Sequence, residues 1–82
     1  MDPLLQKVCK AARALAGWSI DDLAQHSGVS VNTLRSFESG RTKAMNRDTE
    51  RAVRRAFDEA GVELIPENGG GAGARLRDRS GA

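Results

Sequence analysis

The side chains best suited to recognition chemistry lie near the middle of the chain. If residues 31–38 form a helix, four of them share one face of it. These four are Val31, Asn32, Arg35 and Ser36. Arg35 could donate two hydrogen bonds to guanine O6 and N7, Asn32 could pair with adenine N6 and N7, and Val31 could touch a thymine methyl group. We therefore predict these four residues as contacts to base edges.

Hydroxyl and basic side chains flank this stretch. Both types donate hydrogen bonds to phosphate oxygens, so we predict them as contacts to a nucleic-acid backbone. The predicted backbone contacts are Ser19, Ser30, Thr33, Arg41, Thr42 and Lys43. Ser19 and Ser30 also stand where helices should begin, and capping a helix is compatible with contacting a phosphate.

The composition argues against an enzyme or a metalloprotein. The 82 residues include one cysteine and one histidine, which excludes an internal disulfide and a cysteine zinc cluster. The run Gly69–Gly71 lacks the Lys-Ser/Thr pair and the helix that follow a phosphate-binding loop. We predict no catalytic residue, no metal and no cofactor. The sequence shows no signal peptide and no apolar run of membrane-spanning length, so we expect a cytoplasmic protein without a membrane partner.

Four glycines divide the first three quarters of the chain into helical segments, because glycine is favoured just past a helix end. They are Gly17, Gly28, Gly40 and Gly61. The first predicted helix runs from Pro3 to about Ala16, with Asp2 as its N-cap. Its predicted apolar face consists of Leu5, Val8, Ala12 and Leu15.

The second predicted helix, roughly Ile20 to His26, begins with a capping box of Ser19 and Asp22. The third begins after Ser30 and ends near Gly40. Its predicted inward residues are Leu34 and Phe37. Asn46 or Asp48 could cap the fourth. The apolar stripe of the fourth helix is Val53, Ala56, Phe57 and Ala60.

The turn Ser27-Gly28-Val29 is the most informative local feature. Leu23 and Ala24 can pack on Leu34 only if this turn is tight, and Gly28 permits that while Val29 fills the corner. This is helix-turn-helix geometry, which leaves one face of the third helix free. Such a helix fits the major groove of B-DNA.

A different pattern begins after the fourth helix. Val62–Ile65 and Ala74–Arg77 are typical of two short strands, which predicts a β-hairpin with the loop Glu67–Gly73. The alternative is a disordered tail. An isolated hairpin is marginal in water and needs a helix or a second subunit to lie against. Because the first strand is apolar and has little predicted core of its own, we predict that the hairpin supplies the contact of a homodimer, with strands pairing across a two-fold axis. The predicted interface residues are Val62, Leu64, Ile65 and Leu76.

The predicted domain organisation is therefore a helical domain at residues 1–61, a hairpin at 62–77 and a disordered tail at 78–82. Three residues outside the recognition face receive structural roles. We expect Glu38 to pair with a nearby arginine or the backbone, Trp18 to fill the core at a helix junction, and Cys9 to be partly buried in the first helix.

The net charge of +2 is uninformative, but its distribution is not. Residues 1–17 and 41–61 each carry a net charge of +2, whereas residues 18–40 carry −2. Positive charge thus flanks the predicted recognition helix, as phosphate contacts on either side of a groove require.

The chain resembles the lambda-repressor-like, Xre/Cro-type helix-turn-helix family, in particular its short single-domain bacterial members. The resemblance covers roughly residues 4–61 and rests on the relative spacing of Leu23-Ala24, Gly28-Val29-Ser30, Thr33-Leu34 and Phe37-Glu38-Ser39-Gly40. It implies an all-α bundle of four main helices, here with a C-terminal β-hairpin. It also implies a dimer that inserts its third helices into successive major grooves. Ile20 departs from the glutamine of many members, and its side chain cannot donate to a phosphate. Either its backbone N–H at the helix N-terminus serves instead, or Ile20 packs elsewhere.

Residues and resemblance together predict sequence-specific binding to double-stranded DNA as a homodimer that regulates transcription. Repression is the favoured form, because the chain has no second domain to recruit a partner. The predicted operator is an inverted repeat, and the sequence leaves open whether a small-molecule or protein effector relieves binding. The alternative is a protein-interaction module, such as an antitoxin or antiactivator built on the same fold, which the acidic second helix keeps open.

Overall fold

Four helices precede a two-stranded antiparallel hairpin, as the sequence predicts. A computed structural model of the chain describes residues 4–77. Its elements in chain order are α1 (Gln6–Ala16), α2 (Ile20–Ser27), α3 (Val31–Glu38), α4 (Arg47–Glu59), β1 (Val62–Ile65) and β2 (Gly73–Leu76). The predicted disordered tail at 78–82 lies outside the described residues.

Local capping signals place the starts of α2, α3 and α4. Ser19 and Asp22 form the predicted capping box of α2, with reciprocal hydrogen bonds of 2.9 and 3.1 Å. The Ser30 hydroxyl accepts from the Thr33 backbone N–H at the start of α3. Asn46, rather than Asp48, caps α4. These bonds satisfy N–H groups that have no partner within the first turn of a helix.

The start and the buried face of α1 differ from the prediction. Leu5 is the N-cap, with an extended backbone and no side-chain cap, so α1 begins three residues later than predicted. The predicted N-cap Asp2 and first helical residue Pro3 lie outside the described residues. Leu5 and Leu15 are 47% and 37% exposed, because α1 is rotated so that Cys9 faces the core.

One core holds the helices together. Its largest fully buried side chains are Phe37, Phe57, Leu23, Leu34, Val53, Val62 and Cys9. Cys9 is thus fully rather than partly buried. Trp18 packs against this core as predicted, and its ring stacks on His26 at 4.2 Å and on Phe57 at 5.8 Å between centroids. Of the predicted α4 stripe, Ala60 is exposed, since the helix has already ended at Glu59.

The hairpin lies on helices of its own chain. Residue pairs run from Val62 opposite Leu76 to Ile65 opposite Gly73, so β2 begins one residue earlier than predicted. The sheet packs on α1 and α4. Val62 is only 1% exposed, which corrects the expectation that this strand lacks a core and removes Val62 from the predicted dimer interface.

The other three predicted interface residues differ in exposure. Leu64 packs against the core, and Ile65 is half-buried. Leu76 is 44% exposed. Within the hairpin, the available apolar surface is therefore concentrated on β2.

We expect Gly28→Ala to lower the free energy of unfolding by about 1–2 kcal/mol, the cost of a left-handed conformation in a residue with a Cβ. Gly28 has a φ of 78°, and no atom lies within 4 Å of a Cβ placed there, so backbone strain alone is tested. Urea denaturation followed by circular dichroism measures the change.

Gly70→Ala is the matched control. Gly70 does not have a positive φ, and the Cβ contact nearest to it, the Asn68 Oδ1, lies at an ordinary 3.6 Å. We expect a change below about 0.5 kcal/mol. Equal losses for the two variants would contradict the role assigned to Gly28.

Candidate nucleic-acid interface

The turn between α2 and α3 sets the direction of α3. Gly28 adopts the left-handed conformation, and its N–H donates to the Ala24 carbonyl at 2.8 Å. The Val29 N–H donates to the Ser27 hydroxyl at 3.2 Å. With Leu34 fully buried, α3 has one face in the core and the opposite face free.

The free face of α3 carries the predicted base contacts. Asn32 and Arg35 are exposed, whereas Val31 and Ser36 are half-buried. Asn32 and Arg35 therefore face outward as predicted, whereas Val31 and Ser36, predicted on the same exposed side, are only partly accessible. The base contacts of all four stay a prediction.

Two adjacent grooves run beside this face. The first, of about 410 Å³, is lined by Asn32, Thr33, Ser36, Thr42, Ala44, Met45, Asn46 and Thr49. The second, of about 350 Å³, is lined by Asn32, Arg35, Ser36, Ser39 and Arg41. Asn32 and Ser36 line both grooves and form the ridge between them.

The grooves bring together most, but not all, of the predicted site. They join three predicted base contacts to the predicted backbone contacts Thr33, Arg41 and Thr42. The predicted contacts that line neither groove are Val31, Ser19, Ser30 and Lys43. Neither groove has an acidic side chain in its lining, although nine acidic residues lie within residues 4–77.

The hydroxyl groups at the start of α3 already form hydrogen bonds within the chain. The Ser30 hydroxyl donates to Thr33 Oγ1 at 2.9 Å and also accepts from the Thr33 N–H. Thr33 keeps its own hydroxyl proton for an outside acceptor. Ser19 belongs to the capping box of α2, which confirms its capping role and leaves its phosphate contact a prediction.

Basic side chains that follow or belong to α3 are free to meet an anion. The side chains of Arg35, Arg41 and Lys43 are exposed and form no hydrogen bond or ion pair with any residue from 4 to 77. By contrast, Arg54 of α4 pairs with Glu50, four residues earlier on the same helix, at 2.9 Å.

Residues that follow α3, from the α3–α4 segment and from the first turn of α4, complete the grooves. Asn46 and Thr49 line the first groove, and Ser39 lines the second. Sequence reasoning predicted Asn46 only as a helix cap and missed the other two. The only available signal was a cluster of small polar residues between two helices, which does not by itself reveal that the loop folds back beside α3.

A buried ion pair anchors the last residue of α3. Glu38, 6% exposed, accepts from Arg13 Nε at 2.9 Å and from Arg13 Nη2 at 2.8 Å. Arg13 also donates to the Trp18 carbonyl at 3.1 Å, and the Cys9 thiol donates to Glu38 Oε2 at 3.1 Å. The network joins α1, the α1–α2 turn and α3, which confirms the structural role predicted for Glu38.

The ionisation of this network follows from its geometry. Burial alone would raise the pKa of Glu38, but hydrogen bonds from Arg13 and Cys9 and the charges of Arg13 and Lys10 lower the pKa on balance. Burial, followed by the bond to Glu38, raises the pKa of the Cys9 thiol. The carboxylate therefore stays charged, and the thiol stays protonated and unreactive.

Other chemistries find little support in the described part of the chain. Residues 4–77 hold no cluster of three or more His, Cys, Asp or Glu side chains that could bind a metal ion. None of the helices described is long and apolar enough to cross a membrane.

Comparison with known proteins identifies a helix-turn-helix domain in this chain. A family model described as a helix-turn-helix domain matches residues 10–63, from within α1 to the second residue of β1. No curated protein matches the chain. The matched region contains α2, α3, the turn between them and all the residues that line the two grooves.

We expect Arg13→Met to lower the free energy of unfolding by about 3 kcal/mol at neutral pH, because it leaves the Glu38 carboxylate buried without its main partner. This is the lower end of the range for buried pairs, since the Arg13 side chain is 21% exposed. Arg75→Met is the control, because it breaks the exposed pair with Glu63 and should cost less than about 1 kcal/mol.

The same network predicts a dependence on pH. The pKa of Glu38 is lower in the folded than in the unfolded chain, so its contribution is complete above the unfolded value of about 4.3 and is lost as the pH falls through the folded value. Urea denaturation at a series of pH values from 7 to 3 should show a shallower acid loss for Glu38→Gln than for the wild type. Parallel curves would contradict this assignment.

Proposed function

Because the chain belongs to the helix-turn-helix domain family, whose members bind DNA and regulate transcription, we propose that it binds double-stranded DNA sequence-specifically through α3. The observation that carries the proposal is the free face of α3, bordered by two grooves that have no acidic side chain in their linings. The first groove is lined mainly by polar side chains, and the second also has Arg35 and Arg41. A helix with such a face can enter the major groove, where each base pair presents a distinct pattern of donors and acceptors.

Each side chain of this face has a role that follows from its chemistry. Arg35 donates two hydrogen bonds to a guanine, and Asn32 pairs with an adenine. Val31 contacts a thymine methyl group, and Ser36 donates to or accepts from a base edge. Because Arg35 and Asn32 are the exposed residues of this face, they are the main determinants of the preferred DNA sequence.

Backbone contacts surround this set and position it. Arg41 and Lys43 follow α3 and supply positive charge without an ion pair in the described chain. Thr33 and Thr42 donate from the wall of the first groove. Ser19 donates to a phosphate with the hydroxyl proton that its capping bond leaves free. Ser30 donates its proton to Thr33 Oγ1 in the free chain and contacts a phosphate by turning that proton outward. Such contacts set the register on DNA without reading sequence.

We propose that the protein acts as a homodimer on an inverted repeat. One α3 of eight residues reaches only a few base pairs, and a second copy doubles the contacts that specify a site. Occupation of an operator that overlaps a promoter blocks polymerase without any further contact, so repression is the proposed mode of regulation.

Selection from a library of random duplexes with the purified full chain tests the proposal. We expect one inverted repeat, with half-sites about 10–10.5 bp apart centre to centre or a multiple of this. Enrichment of no motif, with sequence-independent binding near micromolar affinity at physiological salt, would contradict it and favour a protein-interaction module instead.

Substitutions separate base reading from charge. Arg35→Ala should weaken binding to the selected operator by about 5- to 150-fold, equivalent to about 1–3 kcal/mol, and should relax the preference at one position of each half-site. Arg35→Lys keeps the charge but not the planar pair of donors, so it should lose that preference and retain most of the salt dependence.

Lys43→Ala is the contrasting variant. It should weaken binding to all duplexes alike and reduce the slope of log affinity against log salt by about one for each chain bound. Fluorescence anisotropy at several salt concentrations, with the operator and a scrambled duplex, provides both quantities. An equal loss on both duplexes for Arg35→Ala would show that Arg35 does not read a base.

A further inference from the structure

The geometry points to the outer edge of β2 as the surface that joins two copies of this chain. We infer that the β2 strands of two copies pair antiparallel across a two-fold axis, so that their hairpins form one four-stranded sheet. The inference rests on the homodimer of the proposed function and assigns its interface to one strand edge in one register.

Hydrogen bonding within the hairpin shows which backbone groups are free. The Arg77 N–H donates to the Gly61 carbonyl at 2.8 Å, and these residues are opposite each other in the register of the sheet. Because hydrogen-bonded and non-hydrogen-bonded pairs alternate in an antiparallel ladder, the odd-numbered residues of both strands bond within the hairpin. The N–H and C=O groups of Ala74 and Leu76 therefore point away from β1.

The outer edge of β2 lacks the protection that the outer edge of β1 has. Pro66 directly follows β1, at a position whose backbone groups point away from β2. Because proline has no N–H, it cannot donate to a further strand there and obstructs pairing at that edge. The corresponding positions on the β2 side are Ala74 and Leu76 within the strand and Ala72 directly before it, none of which is charged or a proline. In residues 4–77 the backbone groups of these three residues make no hydrogen bond outside the hairpin. An edge of this kind is a template for another strand.

The side chains of β2 favour one register. If Ala74 lies opposite the Ala74 of the second copy, Leu76 lies opposite its Ala72, and two hydrogen bonds form at each of three residue pairs. Leu76, 44% exposed in the single chain, then packs beside a small residue that belongs to the partner's apolar face. The self-complementary pairing explains an exposed leucine on the core-side face of a strand.

Charge excludes the neighbouring register. A shift by one residue in the pairing would place Arg75 directly opposite the second copy's Arg75, and like charges opposite each other are destabilising. In the proposed register Arg75 faces the second copy's Gly73 and keeps its own partner Glu63 at 3.0 Å. A shift in the other direction would place Leu76 opposite Gly70, which lies outside β2 and has no side chain to pack on. Charge thus disfavours one neighbouring register and apolar packing the other.

Cysteine cross-linking tests both the edge and the register. In the proposed pairing the two Ala74 Cα atoms lie about 5.5 Å apart, which suits a disulfide. We expect Ala74→Cys to form a covalent dimer under mild oxidation of the full chain, detected on a non-reducing gel. The wild type should not, because Cys9 is fully buried. Arg75→Cys is the matched control for the shifted register, and efficient cross-linking by it instead of Ala74→Cys would overturn the proposed register.

Backbone substitution provides the second measurement. Ala74→Pro removes an N–H that the hairpin does not use, so helix content should be unchanged while the mass by sedimentation falls from that of two chains to that of one. Ala74→Ser retains the N–H and should remain a dimer. A dimer that survives Ala74→Pro, with no cross-link from Ala74→Cys, would overturn the assignment of this edge.

Failure of this inference is separable from failure of the proposed function. If the wild type is a dimer that binds the selected inverted repeat but ignores changes at Ala74, only the interface is wrong. If the wild type is a monomer in solution and one chain occupies each selected site, both the homodimer and this interface are wrong. If Ala74→Cys forms the cross-link but the wild type shows no sequence preference in its DNA binding, DNA recognition alone is wrong.

Discussion

The orientation of α3 depends on a buried carboxylate at its last residue. An eight-residue helix is too short to be stable alone, so its direction must come from tertiary contacts. Leu34 and Phe37 supply apolar packing, which is strong but not directional. Glu38 adds direction, because two bonds from the planar Arg13 guanidinium admit few geometries. The face that α3 presents to a ligand is therefore fixed at both ends, by the Gly28 turn before the helix and by the Arg13–Glu38 pair at its last residue.

Helix α1 connects the two surfaces that the proposed function requires. Through Arg13 it holds α3, and through its packing on β2 it supports the hairpin. If β2 joins two copies, the separation of the two recognition helices is determined by two α1 helices and one shared sheet. A change within α1 could then alter half-site spacing or affinity without touching DNA.

Short-range signals predicted most of the fold. The capping box at Ser19, the cap at Ser30 and the left-handed Gly28 each need only residues within one turn of the chain. They place the turn and therefore the free face of α3. The hairpin was also predictable, with an error of one residue in β2, since strand alternation is local as well.

Long-range contacts account for what the sequence could not show. Arg13 and Glu38 are 25 residues apart, and no spacing rule links them, so Glu38 was assigned a structural role without its partner. Val62 was predicted as an interface residue because the sequence does not show where the sheet meets the helices. That contact is what buries the Val62 side chain. Leu5 and Leu15 fit a helical period, but the period does not specify that α1 rotates Cys9 inward.

Pairing of acidic residues explains how a chain of net charge +2 can present a basic face. Glu38, Glu50, Asp58 and Glu63 each pair with an arginine of the same chain, and Glu67 accepts from the N–H groups of its own loop. None of these carboxylates lines a groove beside α3, whereas the unpaired Arg35 and Arg41 do. Electrostatic attraction falls off over a Debye length of about 8 Å at physiological salt, so a nearby phosphate responds to the local set of charges more than to the sum. Net charge is therefore a poor guide to nucleic-acid binding in a chain that pairs several of its carboxylates with its own arginines and backbone N–H groups.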